Sequence, residues 1–185
     1  MDHWGFIWKE ELVSFLEQQG HQLVDKGAYQ HDPNDDYPDF VVLVARAVAS
    51  GEVSRGIVVC GSGVGASIAA NKVAGVRSAM CHDSYSAHQG VEHDDMNVLA
   101  IGSRIVGIEL AKELVEAFLS ANYTGDARHQ RREAQRQKRG QGLAVPVSGS
   151  YQAPSPCWQQ TADRSLQTRT VRNPVGHDPV RWKQT

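Results

Sequence analysis

The residues of this sequence best placed to do chemistry are a cysteine and the glycine loop that follows it. In GIVVCGSGVGASIAANK, residues 56–72, β-branched apolar residues lead into Cys60, and glycines follow at 61, 63 and 65. A strand that turns through glycines into a helix gathers backbone N–H groups around one point. Glycine allows the close approach and the positive φ that this needs. The product is an anion site at a helix N-terminus. The same N-terminus favours thiolate over thiol, which suits Cys60 to be a base or a nucleophile. The plainer alternative is a small hydrophobe buried at the end of a strand. The spacing is GxGxG, so it departs from the GxGxxG dinucleotide fingerprint, and no G-K-[ST] follows. Asp83 ends the next strand about where a ribose-binding acid would stand. The motif lies mid-chain before a short helix, however, so a nucleotide-binding domain is the weakest of the readings kept.

Bulk properties narrow the field. The 185 residues suit one domain with a tail, and a formal net charge of −2 gives no general polyanion-binding character. Nucleic acid is therefore not an expected partner. No apolar run reaches membrane-spanning length, and MDHWGFIWKEEL is not a signal peptide. The three cysteines, Cys60, Cys81 and Cys157, form no disulfide framework and no zinc spacing. They fit a reducing, cytoplasmic setting.

The elements that must position the loop alternate. Residues 5–19 carry apolar residues at helical spacing and stop at Gly20. Trp4 and Trp8, four apart, are read as packing on one helix face. HQLVDKG (21–27) is expected as a short strand, and HDPNDDYPD (31–39) as a loop. FVVLVARAVASGE (40–52) continues too long for a strand and reads as a helix. RGIVVCG, VRSAMCHD and NVLAIGS read as strands. ASIAANKVAG, SYSAHQGVEHDD (as helix or loop) and residues 104–120 stand between and after them. Strands separated by helices imply an α/β class fold, a three-layer α/β/α Rossmann-like parallel sheet. Cys81, within a strand, is assigned to the core. This domain spans 1–124. Residues 125–140 hold six Lys or Arg against two acids and form a basic helical segment. Taken alone it is a solvated face; as an RNA-binding element it lacks interleaved aromatics. Residues 141–185 hold five of the seven prolines and no apolar period, and are expected to be disordered. Trp158 and Trp182 in that tail have no account.

Five stretches together resemble the ribose-5-phosphate isomerase B family, which includes the galactose-6-phosphate isomerase subunits. They are DHWGF, DYPDF, VCGSGVGASIAANKVAGVRSAMCHD, HDDMNVLAIGSRIVGIELAKELVEAFL and RHQRR. The resemblance covers about residues 2–135. It implies a Rossmann-like α/β/α domain and an aldose–ketose isomerase of phosphorylated sugars that uses no metal or other cofactor. It also implies a homodimer, or dimer of dimers, with the active site at the subunit interface. Cys60 matches the base that moves a proton between C2 and C1. Some relatives carry glutamate there. Gly61, Ser62, Gly63, Val64 and Gly65 match the anion hole for the enediolate, and Ser62 matches a hydroxyl that assists proton transfer. His93 matches the histidine that opens the sugar ring. Asp2 and His3 match an Asp-His pair that meets sugar hydroxyls and phosphate, and Tyr37 matches a tyrosine of the sugar pocket. Arg104, Arg128 and Arg132 match phosphate-holding arginines, whose forks suit a dianion.

Some positions depart from the family pattern. Asp94 stands where the family usually has Asn, adding an acid beside His93. AHQGVEH lacks the usual Arg before the histidine. The family also has an interior strand ahead of the Asp-His pair, and the sequence opens at Met1-Asp2 with no such strand. A fold short of this first strand is expected to be less stable and to hold Asp2 and His3 loosely. The leading expectation is interconversion of ribose 5-phosphate and ribulose 5-phosphate. The alternatives are isomerisation of galactose 6-phosphate, allose 6-phosphate or a tetrose phosphate, or an inactive phosphosugar-binding relative.

Overall fold

The computed structural model describes residues 1–142. Its elements are α1 (His3–Phe6), α2 (Lys9–Gln18), α3 (Tyr37–Ala49), β1 (Gly56–Cys60), α4 (Val64–Ala70), β2 (Ser78–Met80), α5 (Ser84–Asp94), β3 (Val98–Gly102), α6 (Ile108–Ser120) and α7 (Ala127–Gly142). The expected tail lies outside the described residues, apart from its first two, which continue α7. The same holds for Cys157, Trp158 and Trp182. Among the described residues, no helix is long and apolar enough to cross a membrane.

The three strands are parallel in the order β1-β3-β2, with Cys60 opposite Gly102 and Met80 opposite Ala100. Alternation sends their side chains to two cores. Val59, Leu99 and Ile101 pack with Leu12 and Leu16 of α2, Val91 of α5, and Leu114, Val115 and Phe118 of α6. Val58, Cys60, Val98 and Ala100 pack with Val41, Ala45 and Val48 of α3 and Ala66 and Ala70 of α4. Both helical layers follow from sequence spacing. The inward residues of α6 recur at i, i+3, i+4 and i+7, and those of α3 at i, i+4 and i+7. The three-layer α/β/α expectation is met.

Four readings need correction. Residues 21–27 form no strand. A strand requires a ladder partner, and a cleft of about 450 Å³ separates Leu23, Val24 and Asp25 from Gly56 and Ile57 at the outer edge of β1. The helix expected over 5–19 is two helices. Gly5 lies so close to β1 that a Cβ there would stand 2.6 Å from the Val59 carbonyl oxygen. That contact fixes the direction of α1, and the chain must turn before α2 to bury its apolar side. Trp4 and Trp8 therefore do not share a role: Trp8 is buried and Trp4 is 42% exposed. Arg104 precedes α6 in a turn rather than starting the helix.

The other expected elements are present with shifted ends. Gly20, at φ +84°, stops α2 as expected. Residues 84–94, left open between helix and loop, are the helix α5, capped by Asp83, whose side chain accepts from the Ser86 N–H at 2.7 Å.

At the amino ends of the strands, α7 docks through His129, which is 1% exposed. Arg128 Nε–H donates to His129 Nε2 at 2.9 Å, so the ring carries its hydrogen on Nδ1, 3.1 Å from Thr124 Oγ1. Thr124 in turn donates to the Glu92 carbonyl at the end of α5. Burial, then the neighbouring His93 and Arg128, push the His129 proton affinity below its ordinary value of 6.5. The unfolded chain therefore binds this proton more tightly than the folded one. Stability is complete above the unfolded value and falls as pH drops through it toward the folded value. We expect the melting temperature of the wild type to fall more steeply over the pH window below about 6.5 than that of His129→Asn. Parallel melting curves for the two proteins across that window would contradict this role.

Candidate active site

Each strand of the parallel sheet ends at the same face, and the glycine loop opens there. Cys60, the last residue of β1, points into the α3/α4 layer and is buried. The Gly63 N–H donates to Cys60 Sγ at 3.1 Å. Gly63 takes φ +81° and caps α4, a conformation that a side chain would strain. Ser62 Oγ is exposed and accepts from the Val64 N–H at 3.3 Å. Gly65 lies against Tyr37, whose hydroxyl oxygen would be 2.6 Å from a Cβ at that position.

The loop rests on the end of β3. A Cβ on Gly102 would stand 2.6 Å from the Ser62 carbonyl carbon. The Ser103 and Arg104 N–H groups donate to the Cys60 and Gly61 carbonyls at 2.9 and 3.0 Å. His82 accepts from the Gly102 N–H at 3.1 Å. Gly102 and His82 were not singled out from the sequence. Only the loop packed on Gly102 reveals the need for glycine there. Cys81 sits in the core as expected, and burial pushes its thiol up to about 11, so it stays protonated.

The N-terminal residues reach the same face. Asp2 is buried and caps α1, its Oδ1 accepting from the Trp4 and Gly5 N–H groups at 3.0 Å each. Burial raises the Asp2 carboxyl, and the Gly5 hydrogen bond and His3 act against that rise. The expectation of loose anchoring is thus corrected: capping bonds and burial hold this pair. His3 Nδ1 lies 2.5 Å from Asp35 Oδ1, and the His3 backbone N–H also donates to that oxygen at 3.2 Å. The Arg104 guanidinium stacks over Trp4, 4.7 Å from the ring centre, and both side chains flank Gly61. Trp4 and Asp35 were also missed, because only the fold brings them to residues 104 and 3.

The remaining residues lie elsewhere. α5 begins just after β2 and ends just before β3, so His93 and Asp94 sit at the amino ends of the strands. Its 11 residues span about 16 Å. The His93 ring packs 4.2 Å from that of His129, and its Nδ1 lies 2.6 Å from Gln89 Nε2. Asp94 is paired with Arg136, Nη1 to Oδ1 at 2.5 Å, so its added charge is met by a cation. Arg128 and Arg132, on the first turns of α7, belong to this second cluster. One chain therefore brings together Asp2, His3, Tyr37, Cys60, the glycine loop and Arg104. It does not bring His93, Asp94, Arg128 or Arg132 to them.

The sequence profile described as Ribose/Galactose Isomerase matches residues 1–135. Ribose-5-phosphate isomerase B of Escherichia coli (strain K12) is 52% identical over 133 residues, covering 72% of this chain and 89% of that one. D-erythrulose-4-phosphate isomerase of Pectobacterium atrosepticum is 42% identical over 120 residues, 63% of this chain and 77% of that one. Among solved structures, ribose-5-phosphate isomerase B of Mycoplasma genitalium with bound ribulose 5-phosphate superposes with a TM-score of 0.72 at 39% identity, covering 76% of this chain and 92% of that one. The Clostridium thermocellum ribose-5-phosphate isomerase B gives 0.73 at 45% identity, covering 76% and 94%. With the strand-end cysteine, the glycine loop and the N-terminal Asp-His pair all in place, the chain belongs to the ribose/galactose isomerase family.

Proposed function

We propose that this protein interconverts ribose 5-phosphate and ribulose 5-phosphate by proton transfer through an enediolate. The observation that carries the reading is Cys60 beneath the glycine loop, with the Gly63 N–H directed at its sulfur. The thiolate of Cys60 takes the C2 proton of the open-chain aldose and returns it to C1. The C1 carbonyl oxygen gains a proton and the C2 hydroxyl loses one, so the exchange balances within the substrate. Backbone N–H groups of Gly61–Gly65 hold the charge that develops on oxygen, as in an oxyanion hole. Ser62 carries the oxygen-bound proton. His93 opens the furanose ring. Asp2 and Tyr37 meet sugar hydroxyls, and His3, Arg104, Arg128 and Arg132 hold the phosphate. A base thiol must stay reduced, which fits a reducing, cytoplasmic setting.

The two clusters lie at opposite ends of one domain, so one chain cannot close this site. We read the active form as a homodimer in which one protomer supplies the Cys60 end and its partner the His93 end. Such an interface is isologous and would create two equivalent sites.

A second reading, isomerisation of a tetrose phosphate, is favoured by the 42% identity to D-erythrulose-4-phosphate isomerase. Pocket length decides between the substrates, so both belong in one assay.

Cys60→Ala is expected to lower kcat for ribose 5-phosphate by roughly 10²–10⁴-fold, with the melting temperature little changed. Retention of full activity by this variant would overturn the base assignment. Turnover of erythrulose 4-phosphate alone would transfer the reading to the tetrose substrate. Gly102→Ala should displace the loop through Ser62 and cost about 10–100-fold in kcat with a smaller effect on KM, because the anion hole acts on the transition state. Unchanged kcat would mean that the loop does not depend on Gly102.

A further inference from the structure

We propose that Asp35 is a positioning residue for the phosphate end of the site, acting through His3. The proposal rests on the reading of His3 given above. It goes further by assigning a residue that no motif marks, in a loop of turn-forming residues.

Asp35 Oδ1 receives two hydrogen bonds from residue 3, one from its backbone N–H at 3.2 Å and one from ring Nδ1 at 2.5 Å. A carboxylate can only accept, so Nδ1 carries the hydrogen. Two bonds from one residue to one oxygen fix both the position of His3 and the plane of its ring. Nε2 is then the atom that His3 presents to a ligand. An oxyanion there takes the doubly protonated ring, and the Asp35 carboxylate offsets its charge.

Asp35 is itself held for this task. Its side chain is 8% exposed, and Oδ2 is buried with no hydrogen-bond partner. A carboxylate so placed has given up water on one oxygen, and its remaining bonds run to residue 3 alone. Removing the His3 ring would leave it only the backbone N–H of residue 3, so the two side chains should act as a unit. The His31 ring meets the His3 ring edge-on, 6.3 Å between centres. Two residues beyond Asp35, Tyr37 packs on Gly65. The short run 35–37 thus touches His3 at one end and Gly65 of the glycine loop at the other.

The experiment is a double-mutant cycle of Asp35→Ala and His3→Ala, with Asp35→Asn as the conservative variant. Melting temperatures are recorded for each protein, and inorganic phosphate is used as a competing ligand. Asp35→Ala is expected to raise KM for ribose 5-phosphate and the inhibition constant for phosphate by about tenfold, with kcat changed less than about threefold. Asp35→Asn, which keeps an acceptor oxygen, should recover most of the loss. In the His3→Ala background, Asp35→Ala should cost nothing further. Equal losses in both backgrounds, or unchanged phosphate inhibition, would overturn the proposal. Nitrogen-15 NMR of labelled histidine gives a readout independent of turnover. The His3 ring should carry its hydrogen on Nδ1 in the wild type and shift toward Nε2 in Asp35→Ala. A spectrum that Asp35→Ala leaves unchanged overturns the inference, whether or not the wild type turns over sugar. An inactive wild type with the expected spectral shift overturns the isomerase reading while sustaining the Asp35–His3 pairing.

Discussion

The parallel register that sets Cys60 opposite Gly102 is the constraint on which the site depends. Two strands ending together leave their next residues competing for the same space. Gly102 resolves that competition by having no side chain, so the backbone of Ser62 can lie directly on it. The loop then folds back far enough for the Gly63 N–H to reach the Cys60 sulfur. Ser103 and Arg104 bond to the loop carbonyls from the same strand end. The loop is thus held from below by a missing Cβ and from the side by a short ladder. Arg104 arrives beside it as a consequence of that ladder, and Trp4 holds its guanidinium there.

The layered fold also dictates what one chain cannot do. In a parallel sheet, residues that follow a strand gather at one end and residues that precede a strand gather at the other. Cys60, the loop and Arg104 follow strands. His93 and Asp94 precede β3, and α7 packs beside them through His129. Buried helices of fixed length keep these ends apart, so no side-chain rearrangement within the domain would join them. A second copy packed antiparallel, with each protomer's amino-end residues beside its partner's carboxyl-end residues, is the arrangement we read as completing the site. It also gives a use to the Arg128–His129–Thr124 chain, which keeps α7, and Arg132 with it, in a fixed place.

Much of this was legible in the sequence, for physical reasons that differ by element. The apolar spacing in α3 and α6 and the β-branched run before Cys60 specify burial locally, so the layers could be read directly. Gly63 and Gly20 were legible because a positive φ leaves glycine as the easy choice. Residues 21–27 misled, since HQLVDKG has strand-like composition but a strand exists only with a partner beside it. Trp4 and Trp8 misled because Gly5 against β1 breaks the helix between them. Gly102, Asp35 and His129 were silent for another reason. Their roles come from residues 40, 32 and 36 positions away, at Ser62, His3 and His93, and nothing local marks them. His129 did stand in RHQRR, but its neighbours drew attention to charge rather than to a buried neutral ring.

The central claim is that two ends of one domain, from two copies, make one isomerase site. Mixing two crippled variants tests it most directly. Cys60→Ala and His93→Ala are each expected to be nearly inactive alone. Co-expressed at equal levels, they should recover about a quarter of the wild-type rate per chain, since half of randomly paired dimers carry one intact site of two. No recovery in mixed dimers verified by mass, beside an active wild type, would contradict a site shared between subunits.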